Sequence, residues 1–261
     1  MAANRKVRAL SLLSGGLDSL LAVKVLEEQG IEVTGLTFTS PFFGAENARK
    51  GADQLGIELV VIDITGPHLE LVKTPPHGYG KGMNPCIDCH ALMVKMAGEL
   101  MEREGYDLIA TGEVLGERPM SQNMQSLSTV ARDSGYADFL LRPLSAKLLP
   151  PTKPEREGKV DRERLLAIEG RSRKPQIALA AKYGITSYLQ PAGGCLLTDP
   201  NFSARLRELL EKNPAATEAD VRLLRLGRHF RFPSGAKAIV GRDEKDNGRI
   251  DAAAREGDCV I

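Results

Sequence analysis

The sequence predicts an α/β protein with a doubly wound, mostly parallel sheet and a small α+β appendage at its C-terminal end. Short runs rich in Val, Ile and Leu alternate along the chain with segments whose apolar residues have helical spacing. Such alternation is typical of a parallel sheet with right-handed crossovers and helices on both faces. In the last fifty or so residues the pattern changes to short strand signals separated by turns.

The strands of the predicted sheet are buried apolar runs. They span 7–13, 33–38, 59–64 and 108–110. Helical spacing is present over 19–29, 45–55, 92–103, 162–168, 176–183, 203–210 and 218–226. In sheets of this kind ligands bind beyond the C-terminal ends of the strands. The loop at 14–19, the segment after Phe38 and the Thr111-Gly112 turn all fall at that edge.

Two connections interrupt the pattern. The first, at 150–159, is dominated by proline and charge, and the second follows residue 189 and carries Cys195. The helical segments resume after each of them, whereas the tail does not return to the alternating pattern. We therefore place a domain boundary near residue 214, with one domain over 1–213 and a C-terminal segment over 214–261.

The bulk composition is that of a soluble globular protein. The 261 residues are 42% hydrophobic and 26% charged, with a net charge of +1. No run approaches the ~18 apolar residues of a membrane span, and the N-terminus lacks a signal-peptide core. We therefore expect a cytoplasmic protein with no membrane partner. A basic stretch over 142–182, with eleven Lys or Arg against five Asp or Glu, fits an RNA-facing surface and a solvated helical surface equally well.

A glycine-rich turn, SGGLDS, joins the first predicted strand to the first predicted helix. Gly15 and Gly16 allow a ligand to approach the backbone closely. The free N–H groups and the positive end of a helix N-terminus bind anions. Ser14, Asp18 and Ser19 add hydroxyl and carboxylate groups to the same turn. We interpret it as an anion-binding loop; the alternative is an ordinary tight turn.

Two common phosphate-binding motifs are missing, since no lysine follows the glycines and there is no G-x-G-x-x-G. The turn instead resembles the SGGxDS pyrophosphate loop (PP-loop) of the ATP-pyrophosphatase superfamily. This resemblance implies an adenine nucleotide alpha hydrolase-like fold and an enzyme that splits ATP between its α and β phosphates to adenylate a substrate. It also implies Ser14, Gly15, Gly16 and Ser19 around the pyrophosphate, with Asp18 helping to hold Mg²⁺.

Four cysteines in such a chain indicate metal binding or catalysis rather than a disulfide framework. Cys86 and Cys89 have C-x-x-C spacing just ahead of a predicted helix, a position that lowers thiol pKa values. We interpret them as one site with Cys195, and Cys259 as a bystander. Three chemistries stay open: a zinc ion with His90 as fourth ligand, a redox or persulfide pair, and an iron–sulfur cluster with one iron open to an exogenous sulfur.

Further segments resemble tRNA-thiolating enzymes. ATGEVLGERPMSQNMQSL, at 110–127, is similar to the TGEaLGQxxSQT segment of the ThiI-type tRNA 4-thiouridine synthetases. NPCIDCH, at 84–90, is similar to the NPxxxC element of the 2-thiouridine synthetases. C-x-x-C with a distant cysteine resembles the cluster-binding set of the iron–sulfur-dependent tRNA thiolases. These likenesses cover 6–210 and imply a [4Fe–4S] cluster on Cys86, Cys89 and Cys195.

The resemblance implies an ATP-dependent tRNA sulfurtransferase that forms AMP and pyrophosphate. ATP is expected over 14–19, with its adenine near Phe38 and Thr39 and with Thr111 and Gly112 at the same edge. A uridine carbonyl oxygen is adenylated, and a sulfur carried on the three-cysteine site then displaces AMP. Asp18 with Mg²⁺ is expected to neutralise charge on the phosphates.

The expected partners are tRNA and a sulfur donor, either a protein persulfide or inorganic sulfide, and a homodimer is a further expectation. Arg171, Arg173 and Lys174 are the expected tRNA contacts. The tail resembles the NFACT-R domain (DUF814) of ribosome quality-control proteins. Two other functions are open: adenylation of a small molecule, and a non-catalytic RNA- or ribosome-binding module, against which the intact loop argues.

Overall fold

The computed structural model describes residues 5–189 and 195–254. These fall in two compact units. The sheet unit contains the described residues within Met1–Ser40, Gly44–Ile64 and Pro85–Ala192. The second unit contains those within Pro41–Phe43, Thr65–Asn84 and Gly193–Ile261. The domain boundary near residue 214 stays a prediction.

The sheet unit is built on five parallel strands, which confirms the predicted fold class. In chain order the strands are β1 (Arg8–Leu12), β2 (Glu32–Thr39), β3 (Leu59–Asp63), β4 (Leu108–Thr111) and β5 (Leu140–Leu141). Their order across the sheet is β3-β2-β1-β4-β5, and every neighbouring pair is parallel.

The described helices are, in chain order, α1 (Leu17–Glu27), α2 (Glu46–Leu55), α3 (Thr65–Lys73), α4 (Cys86–Glu104), α5 (Met124–Ser134), α6 (Lys153–Arg156), α7 (Lys174–Lys182), α8 (Pro200–Lys212), α9 (Glu218–Leu223) and α10 (Glu244–Asp251). The sheet unit contains α1, α2 and α4–α7, and the second unit contains α3 and α8–α10. Along the part of the chain that the structure describes, none of the helices combines the length and apolarity that crossing a membrane requires.

The apolar residues of β1 and α1 place both elements at the centre of the sheet unit. Leu10, Leu17, Leu20 and Leu21 are fully buried, and the three of these leucines that lie in α1 belong to a core that also includes residues of β1, β2, β4 and α7. Because β1 is paired on both edges and buried over Ala9–Ser11, its inner positions are small or apolar, and the one polar side chain among them, Ser11, is fully buried. The strand therefore provides a rigid base for the loop that follows it.

The strand order places a topological switch point at β1 and β4. From β1 the chain winds outward to β2 and β3, and it then returns to the other side of β1 to form β4 and β5. Leu12, at the end of β1, is paired with Thr111, at the end of β4. In doubly wound sheets, ligands bind in the crevice at such a point. The 14–19 loop begins there.

Two local differences from the sequence pattern have clear causes. The segment predicted as a helix over 162–168 is a 3₁₀ turn at Arg162–Arg164 only. Its second half is held instead by backbone hydrogen bonds to 143–147, through Leu166 and Ile168. The helix predicted at 92–103 begins earlier, at Cys86, because the Cys89 N–H already bonds the Pro85 carbonyl. The C-x-x-C pair therefore lies in the first turn of α4.

The second unit has its own core and carries the predicted α+β appendage. Phe42, Phe202, Leu206 and Val221 are among its buried residues. Asp199 begins α8 by accepting a hydrogen bond from the Phe202 N–H, at 2.8 Å. The appendage is an antiparallel hairpin of β6 (Arg228–Arg231) and β7 (Lys237–Val240), followed by α10.

Candidate functional site

The 14–19 loop is held in shape by one hydroxyl. Ser19 Oγ donates to the Gly16 carbonyl, at 2.7 Å, and lies 3.3 Å from Ser14 Oγ. The Ser14 hydroxyl in turn accepts from the Gly16 N–H, at 3.3 Å. Gly16 caps α1, which begins at Leu17. The first N–H groups of a helix have no intrahelical partner, so the loop presents donors and a positive helix end beyond β1.

Two glycines bring neighbouring backbone against this loop. Gly15 has a φ of +77°, and a Cβ there would lie 2.2 Å from the Asn47 carbonyl oxygen of α2. A Cβ on Gly112 would lie 2.4 Å from the Ser19 N and 2.5 Å from the Asp18 carbonyl carbon. No larger residue fits at either position. The absence of a side chain at Gly112 therefore lets the backbone after β4 pack directly against the loop.

The residues predicted near the adenine lie at the same edge of the sheet. Phe38 and Thr39 end β2, and Phe38 is buried. The Thr39 hydroxyl donates to Asp63, at 3.2 Å, on neighbouring β3. Thr111 ends β4, and its hydroxyl donates to Glu113. The sheet thus places these residues and the loop at its carboxyl edge, and the adenine assignment itself stays a prediction.

Asp18 lies in the first turn of α1 and is largely buried. Its Oδ2 is 3.6 Å from Nη2 of Arg173, and its Oδ1 has no hydrogen-bond partner among the described residues. Burial raises the pKa of the Asp18 carboxyl above its ordinary value, although the charges of Arg173 and Arg118 oppose the shift. An unpaired buried carboxylate oxygen fits a hard cation such as Mg²⁺, which prefers oxygen ligands.

Cys86 and Cys89 form a pair at the N-terminus of α4. Cys86 is half-buried and Cys89 is buried, and neither forms a disulfide. A helix N-terminus stabilises a thiolate, which favours reactivity at the more accessible Cys86. Cys195 belongs to the second unit, where it packs against the core that contains Leu197. The preceding turn at 193–194, and Cys259, lie outside the described residues.

The thiols do not form a complete metal site in the parts of the chain that are described. Among those residues, no group of three or more His, Cys, Asp or Glu side chains is suited to hold a metal ion. The three-cysteine site stays a prediction, and no chemical step below depends on a cluster.

The three residues predicted to contact tRNA differ in their exposure to solvent. Arg171 and Lys174 are exposed around the start of α7 and stay candidates for a polyanion contact. Arg173, between them, has only 20% of its side chain exposed and lies beside Asp18 and Glu117. The structure thus groups Arg173 with the loop.

A buried ion pair joins the segments that follow β4 and β5, and it also contacts α4, the helix that carries Cys86 and Cys89. Arg142 Nε donates to Glu113 Oε2 at 2.8 Å, and Nδ1 of His90 lies 2.9 Å from Glu113 Oε1. Burial opposes ionisation of Glu113, but the Arg142 guanidinium and His90 outweigh it and hold the Glu113 pKa well below its usual range. His90 and Cys86 are four residues apart on α4 and share a face. The contact between His90 and Glu113 therefore fixes the face of α4 that carries Cys86.

The site residues differ in how strongly the sequence indicates them. Glu113 and Glu117 both lie in the 110–127 segment that resembles the thiolating enzymes. Arg142 and Gln176 are far from that segment in sequence, and only the fold brings their side chains near the site. Gln176 carries a weak signal, because it occupies the same buried face of α7 as Ala180. A polar residue on an apolar helix face is a signal that sequence reasoning can use.

Comparisons with known proteins support a single family. Residues 5–147 match the family model described as thiamine biosynthesis protein (ThiI). The tRNA-specific 2-thiouridylase MnmA 3 of Bacteroides fragilis is 37% identical over 111 residues, which cover 41% of this chain and 31% of that protein. A probable tRNA sulfurtransferase of Thermoanaerobacter sp. is 32% identical over 129 residues, or 46% of this chain and 32% of the relative.

A solved structure described as a 4-thiouridine synthetase–RNA complex with bound ATP is also similar. It aligns with 84% of this chain and 52% of its own, at 19% identity and a TM-score of 0.48. The matched part of this chain spans about a third of the length of the curated relatives: 31% in the first case and 32% in the second.

The buried Glu113–Arg142 pair yields a stability prediction. Glu113→Gln leaves the Arg142 guanidinium buried without its counter-charge, which costs about 3–5 kcal/mol of unfolding free energy at pH 7. The folded-state pKa of Glu113 is depressed, so its contribution is complete above its unfolded pKa near 4.5 and is lost as the pH falls below that value. The difference between wild type and variant should therefore shrink under acid.

Urea unfolding followed by circular dichroism at several pH values measures this difference. Glu99→Gln, at an exposed position on α4, is the matched control and should change the unfolding free energy by less than about 0.5 kcal/mol. A Glu113→Gln variant as stable as the control at pH 7 would show that the pair is not a structural element.

Proposed function

The chain belongs to the ThiI family, and on that premise we propose that it is an ATP-dependent tRNA sulfurtransferase that releases AMP and pyrophosphate. The curated relatives are tRNA-thiolating by name, and the family model covers the loop, β1–β4 and the C-x-x-C pair. The match ends at residue 147, so the NFACT-R resemblance of the tail stays a prediction, as does a homodimer.

The loop at the switch point is the observation that carries the proposal. It combines a helix N-terminus, two hydroxyl groups and the largely buried Asp18 carboxylate, and Gly15 and Gly112 bring backbone within contact distance of it. Backbone donors of this kind suit a polyphosphate. We assign Ser14, Gly15, Gly16 and Ser19 to the pyrophosphate that leaves.

Adenylation and sulfur transfer account for every atom of the reaction. The carbonyl oxygen of a uridine attacks the α-phosphorus of ATP, and the bond to the bridging oxygen breaks as pyrophosphate leaves. Sulfur at the hydrosulfide level then forms a C–S bond at the activated carbon. The C–O bond breaks with its electron pair retained by AMP, so the uridine oxygen leaves in AMP and no net oxidation occurs.

Asp18 is proposed to hold Mg²⁺ with the phosphates. A bound Mg²⁺ would supply charge neutralisation on the phosphate oxygens. The protein's own contribution is the preorganised donor set of the loop, which needs no rearrangement as charge develops on the leaving group. Phe38, Thr39 and Thr111 are proposed to line the edge that the rest of the nucleotide occupies.

The C-x-x-C pair is the proposed route for sulfur. Cys86 is the more accessible of the two and begins α4, so its thiolate is stabilised by the helix N-terminus. The His90–Glu113 contact fixes the face on which it lies. The donor is proposed to be a protein persulfide, whose outer sulfur passes to Cys86 while the donor's own thiolate leaves. Cys89 then attacks Cys86 Sγ, which releases hydrosulfide to the activated carbon and leaves a Cys86–Cys89 disulfide that an external thiol reduces. Inorganic sulfide is the alternative donor and would reach the activated carbon directly. Cys195 stays a predicted third member.

The loop assignment predicts the products of ATP cleavage. The purified protein, given Mg²⁺-ATP, tRNA and sulfide, should form AMP and pyrophosphate together with thiolated uridine. Asp18→Asn should lower the rate about a hundredfold, which corresponds to about 2.7 kcal/mol of transition-state stabilisation. Chromatography of the nucleotides and mass spectrometry of digested tRNA measure both products.

The matched control for that variant is Asp53→Asn, an exposed position on α2 in the same unit, which should keep the wild-type rate. ADP as the only nucleotide product would overturn the loop assignment. AMP formation with no sulfur in the tRNA would instead leave the loop assignment standing and reject tRNA thiolation.

The thiol assignment predicts separate effects on the two half-reactions. Cys86→Ala and Cys89→Ala should each abolish thiolation while pyrophosphate release continues, because neither thiol belongs to the nucleotide loop. Cys259→Ala should change neither. Thiolation that survives both single changes would contradict the assignment of this pair.

The same variants, purified anaerobically, decide the predicted cluster by iron analysis and absorption spectra. If a [4Fe–4S] cluster is bound, Cys86→Ala, Cys89→Ala and Cys195→Ala should all lose iron and brown absorbance together. Full thiolation by colourless, iron-free protein would reject the cluster and leave transfer by the thiol pair.

A further inference from the structure

Four polar side chains from three separate segments meet next to the 14–19 loop. Asp18 is on α1, Glu117 follows β4, and Arg173 and Gln176 are at the start of α7. Gln176 is fully buried, and the side chains of Asp18, Glu117 and Arg173 are at most one-fifth exposed. Neither Glu117 nor Gln176 is part of the loop motif.

The charges in this cluster are close but not hydrogen-bonded to one another. Arg173 Nη2 lies 3.6 Å from Asp18 Oδ2, and Arg173 Nε lies 3.7 Å from Glu117 Oε1. Gln176 Nε2 reaches Glu117 Oε2 only at 3.5 Å. Buried charged pairs normally bond at about 2.7–2.9 Å. In contrast, the nearby Arg142–Glu113 pair does so at 2.8 Å.

Within 5–189 and 195–254, polar atoms of both kinds in the cluster have no hydrogen-bond partner. Asp18 Oδ1 and Gln176 Oε1 are acceptors without a donor among these residues, and Arg173 Nε is a donor without an acceptor. Each such buried group costs free energy if nothing completes it. The buried Gln176 amide is directed into the cluster, since its Nε2 faces Glu117.

The combination of acceptors and a donor without hydrogen-bond partners indicates which kind of ligand the cluster would bind. A cation alone would satisfy the carboxylate and amide oxygens but would face the Arg173 guanidinium. An anion alone would satisfy Arg173 but would face Asp18 and Glu117. A divalent cation bound to a phosphate satisfies both sets, and Mg²⁺ in nucleotide sites is held by one or two carboxylates plus phosphate oxygens.

We propose that Asp18, Glu117 and Gln176 form a divalent-cation site, in which the Gln176 amide rotates to present Oε1 in place of Nε2, and that Arg173 binds a phosphate oxygen of the nucleotide that shares this cation. The proposal deepens the proposed function, on which it rests, by completing the site around Asp18. It also assigns Arg173 to the nucleotide rather than to tRNA. In the free protein, the Arg173 guanidinium neutralises the two carboxylates that a cation would otherwise neutralise.

Opposite effects of two variants test this arrangement. Mn²⁺ binding is measured by electron paramagnetic resonance, and α,β-methylene-ATP binding by titration calorimetry, each with and without the other ligand. Glu117→Gln should weaken Mn²⁺ binding at least tenfold in both states. Arg173→Gln should weaken nucleotide binding at least tenfold, yet tighten Mn²⁺ binding several-fold when no nucleotide is present, because a competing positive charge is gone.

If Arg173 had only a structural role, the Arg173→Gln change would not raise the affinity for Mn²⁺. Glu99→Gln and Lys95→Gln, two exposed changes on α4, are the matched charge controls and should leave both affinities unchanged. Circular dichroism verifies folding. Should Glu117→Gln fail to fold, the sign of the Arg173→Gln effect on Mn²⁺ affinity still decides the proposal.

Wild-type Mn²⁺ and nucleotide affinities in both variants would overturn the proposal while leaving the proposed function intact. Weaker Mn²⁺ binding in nucleotide-free Arg173→Gln would also overturn it. A wild-type protein that binds no nucleotide at all would reject the proposed function. In that case the nucleotide-free Mn²⁺ measurement on Glu117→Gln would still support or reject the cation site.

Discussion

The parallel pairing of β1 with β2 and β4 is the constraint on which the site depends. Leu12 is paired with Leu36 on one side and with Thr111 on the other, so β1 and β4 end together, whereas β2 continues to Thr39. The loop after β1 and the turn after β4 must therefore share one edge. Only glycine at 112 allows the backbone of the turn to approach the Asp18–Ser19 peptide. The site is thus a consequence of sheet topology and of one missing Cβ.

Two groups of buried charges near this edge behave differently. The Glu113 carboxylate receives hydrogen bonds from Arg142, Thr111 and His90, so its bonding is complete and its role is to hold β4, β5 and α4 in register. In the Asp18 cluster the oppositely charged groups of Asp18 and Arg173 lie close together, but their hydrogen bonding is incomplete among the described residues. This contrast between a fully bonded carboxylate and an incompletely bonded one supports the ligand site proposed at Asp18.

The sheet could be predicted from the sequence because its inner strands β1, β2 and β4 are largely buried and are therefore rich in apolar residues. The loop could be predicted because its residues are contiguous. Strand β5 has only two residues, too few to show a period. Helix α5 lies outside the predicted segments, although its buried Leu127, Val130 and Ser134 have helical spacing. The helix expected at 162–168 failed because tertiary hydrogen bonds to 143–147 outweigh local propensity. The Asp18–Glu117–Arg173–Gln176 cluster depends on contacts between distant segments, which no local pattern encodes.

The central claim is that the 14–19 loop binds the phosphates of ATP at the switch point. A crystal structure of the protein with α,β-methylene-ATP and Mn²⁺, with the metal located by its anomalous signal, tests it most directly. The account predicts the β and γ phosphates against the backbone N–H groups of the loop and Mn²⁺ about 2.1 Å from a carboxylate oxygen of Asp18. Phosphates bound away from the loop, or a metal bound without Asp18, would contradict it.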